Sequence, residues 1–139
     1  DWSSDVCSSD LKLPPGAPVL NVHIQKGVDL SHEAVEKSFA EAADFFGEFF
    51  SEHRYKAFIC YSWLLYPGNR EFLEPDCNII RFAKRFEIIA AARDNRDAVK
   101  RIYGKRCRSK RDYPQETSLQ RRALAHLGGL GEACGVIYV

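Results

Sequence analysis

Between positions 19 and 24, Leu20, Val22 and Ile24 alternate with Val19, Asn21 and His23, which predicts a short strand with one apolar face. Gly27 and Asp29 turn the chain, and Ser31 is placed to cap a helix running to about Glu52. In that stretch Val35, Phe39, Ala42, Phe46 and Phe49 recur at three- and four-residue spacing, opposite a charged side that includes Glu36, Lys37, Glu41 and Asp44. This is an amphipathic helix, and core packing is the expected use of its phenylalanine stripe. The longest apolar run, Tyr55 to Pro67, alternates with period two and is apolar on both faces, the pattern of a strand covered on both sides.

Beyond Pro67 the pattern predicts a turn through Asn69 and a short helical piece at Arg70–Leu73. A helix containing Ile79, Ile80 and Phe82 follows, with Asp76 in position to cap it. A strand is expected over Phe86–Ala92, with Phe86, Ile88 and Ala90 on one face and Glu87, Ile89 and Ala91 on the other. Asp94 is expected to cap a helix through Ile102 and Tyr103 that closes at Gly104. Thr117 followed three residues later by Gln120 is a capping box and starts another helix. Ala133–Val139 reads as a final strand. The order predicts an α/β or α+β fold around a mixed central sheet flanked by helices.

Composition changes the picture at the N-terminus. Residues 1–11 lack periodicity and resemble the translated end of a sequencing adapter, so fold reasoning sets them aside. Residues 12–18, with Pro14, Pro15 and Pro18, read as a linker, and 19–139 as one domain of a longer protein. The whole chain carries 20 basic and 19 acidic residues. Without Asp1, Asp5 and Asp10 the acids fall to 16 and the net charge rises to +4, which suits an anionic ligand without demanding nucleic acid. Cys60, Cys77, Cys107 and Cys134 have neither Cys-x-x-Cys nor zinc spacing, so no metal is expected and free thiols in a reducing cytoplasm are. No apolar run reaches the ~20 residues needed to span a bilayer.

Candidate chemistry gathers at the end of the Tyr55–Pro67 run, the region where open α/β sheets hold ligands. Cys60 is a candidate nucleophile, with no cation nearby in sequence to lower its pKa. Ser62 lacks a Gly-x-Ser-x-Gly elbow. His23 and His126 are candidate bases with no readable partner. Seven cations and no acid lie between Lys100 and Arg111, with Lys105, Arg106 and Arg108 among them. Such a cluster suits phosphates, and the lack of interleaved aromatics counts against nucleic acid.

The segments Arg54–Cys60, Ser62–Leu65 with Pro67, Asn78-Ile79 with Arg81-Phe82, and Thr117–Arg121 with His126-Leu127 resemble, in order, a family of bacterial acyltransferase-domain proteins. In that family these segments form a C-terminal domain of GNAT-like fold that follows an N-terminal partner domain. The resemblance implies acetyl-CoA or another acyl-CoA as co-substrate, a small-molecule or protein amine as acceptor, and Tyr61 as the acid. It departs from the family in two places. Tyr61 stands where members often carry histidine, and the glycine-rich phosphate loop of active GNAT enzymes is absent. Gly68, Asn69 and Arg70 lie where such a loop is expected, but one glycine does not build the same nest of backbone N–H groups. Two functions stay open: an acyl-CoA-dependent transferase domain, and a non-catalytic domain that packs on and shapes an N-terminal catalytic partner.

Overall fold

The computed structural model describes residues 15–139; the adapter-like segment and the start of the proline-rich linker lie outside the described residues. Strands β1 (Val19–Val22), β2 (Ala57–Ser62), β3 (Glu87–Ala92) and β4 (Glu132–Tyr138) form one sheet in the order β1-β2-β4-β3. β1 and β2 run parallel, and β4 is antiparallel to both of its neighbours. Helices α1 (His32–Phe49), α2 (Asn78–Ala83), α3 (Arg96–Tyr103) and α4 (Ser118–Leu124) complete the α/β fold expected from the sequence.

Local signals explain most of the boundaries. Ser31 Oγ accepts a hydrogen bond from the Ala34 N–H at the start of α1. At α3 the N-cap position falls to Asn95 rather than the expected Asp94, whose carboxylate accepts the Arg96 N–H and grips the Arg96 guanidinium at 2.6 Å, bonds that hold its pKa down at about 2. Gly104 ends α3 with φ +80°, a left-handed conformation that costs glycine least. Both bonds of the capping box are formed at α4, between the Thr117 side chain and the Gln120 N–H and between the Gln120 side chain and the Thr117 N–H. At α2, however, the N-cap position falls to Cys77 rather than Asp76, and no side chain caps it.

Other expectations need correction. The apolar run ends as a strand at Ser62, where the chain turns into a 3-10 turn over Trp63–Leu65 and another over Pro67–Glu71. In β3 a bulge at Ile89 pairs Ile88 with Gly135 but Ala90 with Cys134, so Ile88 and Ala90 point to opposite faces. The phenylalanine stripe of α1 also stops serving the core toward its end. Phe39 packs edge-on against Phe58 at 4.9 Å, but Phe49 is 63% exposed and Phe45 and Phe50 are about half exposed.

The core joins Val35, Phe82, Val99 and Ala123 of the four helices to Cys60 of β2 and Ala133 of β4. By register Cys60 and Ala133 share one sheet face, while Ile59, Tyr61 and Cys134 share the other and lie outside that core. Among the described residues, therefore, the four helices pack on a single face; on the other, Ala57 and Val136 are still buried while Tyr61 is half exposed. Gly135 allows the close packing on the helical face: a Cβ there would meet Phe86 Cβ at 2.7 Å and Leu65 Cδ1 at 2.9 Å. The Tyr66 ring is similarly held between Gly68 and Gly131, each of which would drive a Cβ to within 2.6 Å of a ring carbon.

Candidate functional site

β1 and β2 pair from Val19↔Ala57 to Val22↔Cys60, and there the pairing stops. β2 continues through Tyr61 and Ser62, while β1 leaves through His23 and Ile24 into the loop leading to α1. A cleft of about 280 Å³ opens where the two strands part. Its walls include Tyr61, Ser62 and Trp63 from β2 and the turn after it, Lys26 from the β1–α1 loop, and Asp97 and Arg101 from α3. It sits at the carboxyl ends of the two parallel strands, where parallel sheets offer unpaired backbone and loop residues to ligands.

Tyr61 is 49% exposed, and its hydroxyl donates to Glu132 Oε1 at 2.6 Å. The register explains the meeting. Tyr61 pairs with Cys134 across the sheet, which puts Glu132 two residues further along β4 on the same face, the one turned away from the helices, and Glu132 is not itself part of the cleft lining. Glu132 also lies close enough to favour the charged form of Arg96, after the larger effect of Asp94. Arg101 Nε lies 3.6 Å from Asp97 Oδ1, and since both line the cleft they bring a cation and an anion to its wall. Lys26 supplies a second cation from the opposite side of the sequence.

Of the eleven residues singled out from the sequence, Tyr61, Ser62 and His23 line this cleft. Ser62 is buried, and its Oγ accepts the Leu64 N–H at 3.1 Å, so it serves as the cap of the 3-10 turn. Cys60 is 1% exposed, faces the helices, and has its thiol pushed up to about 12 by burial and then by the neighbouring Cys134. Cys60 should therefore resist iodoacetamide at pH 8 in the native protein and react once the chain is unfolded. Native alkylation as fast as that of an exposed thiol would contradict this burial.

Gly68, Asn69 and Arg70 are not among the residues lining the cleft. Gly68 lies against the Tyr66 ring, and Asn69 is 1% exposed, with its Nδ2 donating to the Trp63 carbonyl at 2.9 Å. Asn69 thus ties one 3-10 turn to the next. Lys105, Arg106 and Arg108 also lie outside the cleft lining and are exposed; Arg106 donates to Asn95 Oδ1 at 2.6 Å beside the start of α3. Of the two candidate bases, His23 lines the cleft, and His126 stacks on Phe72 with ring centroids 5.2 Å apart. Glu132 and Lys26 were missed by sequence reasoning. Glu132 is 71 residues from its partner, and Lys26 is a lone cation in a turn. Among the described residues, no cluster of three or more His, Cys, Asp or Glu side chains is arranged to hold a metal, and no helix is long and apolar enough to cross a membrane.

Solved acyltransferase structures resemble this fold closely. An acyltransferase in complex with decanoyl-CoA matches with a TM-score of 0.80 and 25% identity over 89% of this chain and 41% of the solved one. An acyltransferase in complex with decanoyl-CoA and teicoplanin matches with a TM-score of 0.78 and 26% identity over 88% and 41% of the respective chains. A mutant acyltransferase in complex with octanoyl-CoA matches with a TM-score of 0.79 and 25% identity over 89% and 42%. The chain therefore spans about two-fifths of the length of these proteins. No curated protein matches it. The family described as the GNAT-like C-terminal domain matches residues 2–137, and with nearly the whole chain so covered, the protein belongs to that family.

Proposed function

We propose that this chain is the acyl-CoA-binding C-terminal domain of a cytoplasmic bacterial acyltransferase, which moves an acyl group from CoA to an amine of a small molecule or protein. The observation that carries the reading is the cleft where β1 and β2 part, with Tyr61 in its wall and cations from two separate elements beside it. The likeness to acyltransferases solved with acyl-CoA supports the donor. The residues suit such a ligand: Lys26 and Arg101 oppose phosphate charge, and the backbone groups past Val22 and Cys60 are no longer used in β1–β2 pairing.

Acyl transfer requires the amine to lose a proton and the departing thiolate to gain one. In this proposal Glu132 takes the proton from the attacking amine, and Tyr61 gives its own to the sulfur as the thioester bond breaks. The proton on Glu132 then passes along the Tyr61–Glu132 hydrogen bond and restores the hydroxyl. No covalent enzyme intermediate is needed, which fits a buried Cys60 thiol and a Ser62 hydroxyl already engaged as a cap.

A second reading has one specific observation in its favour. Cys60, Ser62, Gly68 and Asn69 are all tied up in packing or capping, as befits a domain that shapes the site of an N-terminal partner. Thermal unfolding of the chain with and without acetyl-CoA separates the two. A ligand bound only by the native state at a hundred times its Kd stabilises by about 2.7 kcal/mol. Under the first reading acetyl-CoA raises Tm, and Arg101→Glu removes most of the rise. No rise at millimolar acetyl-CoA would favour the non-catalytic reading.

A further inference from the structure

We infer that the aromatic corner where α1 ends and β1 and β2 begin is the surface on which the rest of a longer acyltransferase docks. The inference rests on the reading above that the chain is one domain of such a protein. It places the partner at the opposite end of β1 and β2 from the cleft, so docking leaves the cleft open to its ligand. Phe45 meets Phe46, Phe49 and Phe50 with ring centroids 5.4, 5.1 and 5.8 Å apart, and Phe46 meets Tyr55 at 6.3 Å just before β2. Phe45, Phe49 and Phe50 are all about half exposed or more, and contiguous apolar surface of this kind marks an interaction site. The last turn of α1 carries no basic residue, so the corner has nothing to hold an anionic lipid surface.

The apolar surface continues between β1 and α1 as a groove of about 310 Å³ that Leu20, Phe39 and Phe46 help to line, and among the described residues no lysine or arginine lines it. β1 is an edge strand, and Val19–Val22 contains neither a charge nor a proline to keep another chain away. Both ends of the domain meet at this corner. Lys56 donates its N–H to the Pro18 carbonyl at 2.8 Å, and its own carbonyl accepts the Val139 N–H at 3.1 Å. The chain spans 41% of the solved acyltransferase with decanoyl-CoA, so more than half of a protein of that length lies outside it. Whichever end that remainder joins, it is tethered beside Tyr55 and the phenylalanines. Tethering makes docking intramolecular, which favours the protein's own partner domain over a second copy.

Amide hydrogen exchange tests the inference, by comparing this chain alone with the intact acyltransferase encoded by the complete gene. Residues 45–56 and β1 should exchange more slowly in the intact protein. There, Phe49→Ser and Phe45→Ser should each speed exchange over 45–56 by roughly tenfold, from the apolar area no longer buried against the partner. In the chain alone, where both rings are already about half exposed or more, each should change it little. Equal exchange at this corner in the two proteins would overturn the docking surface and leave the one-domain reading standing. Equal effects of the two variants with and without the partner would overturn it as well, by marking the rings as packing within the domain. A dimer of the chain alone in sedimentation, with the same corner protected, would assign the surface to a second copy instead. A complete gene that encodes no further domain would overturn both the docking surface and the one-domain reading.

Discussion

Gly131→Ala is expected to destabilise the fold by about 3 kcal/mol, the upper end of the usual cost of overpacking. Gly131 is the residue just before β4, and a Cβ added there would stand 2.4 Å from the Ala92 carbonyl oxygen and 2.5 Å from Tyr66 Cε1. The first contact is with backbone and has no flexible side chain to yield. The second presses on a ring already backed by Gly68 on its other edge. Gly47→Ala is the matching control. It lies inside α1 with nothing within 4 Å of an added Cβ, so it should be stabilising by up to about 1 kcal/mol through helix propensity. Equilibrium urea unfolding reads both. Equal stability of the two variants would contradict the close packing of Tyr66 between its glycines.

Tyr61→Phe is expected to lower acyl-transfer turnover by about a hundredfold, the lower end of what a positioned general acid contributes. The substitution keeps the ring and removes the hydroxyl that donates to Glu132. Affinity for CoA, measured separately, should therefore stay as it is, with the loss confined to kcat. Glu132→Gln removes the proposed proton acceptor and should reduce turnover in the same sense, and the double variant should do little further harm if the two residues act on one proton path. Unchanged turnover in Tyr61→Phe would remove Tyr61 from the chemistry and return the site to the shaping role.

Several features of the fold were legible because their causes are local. The capping box at Thr117 and Gln120, the glycine stop at Gly104 and the Ser31 cap depend on residues within four positions of one another. The end of β2 was not legible, because apolar residues continue through Trp63, Leu64 and Leu65. What turns them out of the strand is the Ser62 cap and the Asn69 amide reaching back to the Trp63 carbonyl. The bulge at Ile89 leaves no mark in the hydrophobic pattern, because both faces of β3 are apolar around it.

At the candidate site, Tyr61 could be picked out from its place near the end of the central strand. Glu132 could not, since its pairing depends on the β2–β4 register. The anion-binding expectation fell on Gly68–Arg70 because that was the nearest glycine turn after the apolar run. The parting of β1 and β2 depends on a parallel pairing that no local pattern encodes, and it turns attention to the loop through Lys26.

Backbone amide NMR during a CoA titration tests whether an acyl-CoA occupies the cleft where β1 and β2 part. The largest shifts should fall on His23 to Leu30, on Tyr61 to Leu64 and at Arg101, and should saturate together. Shifts confined to the cationic stretch from Lys105 to Arg111, or none at millimolar CoA, would contradict it.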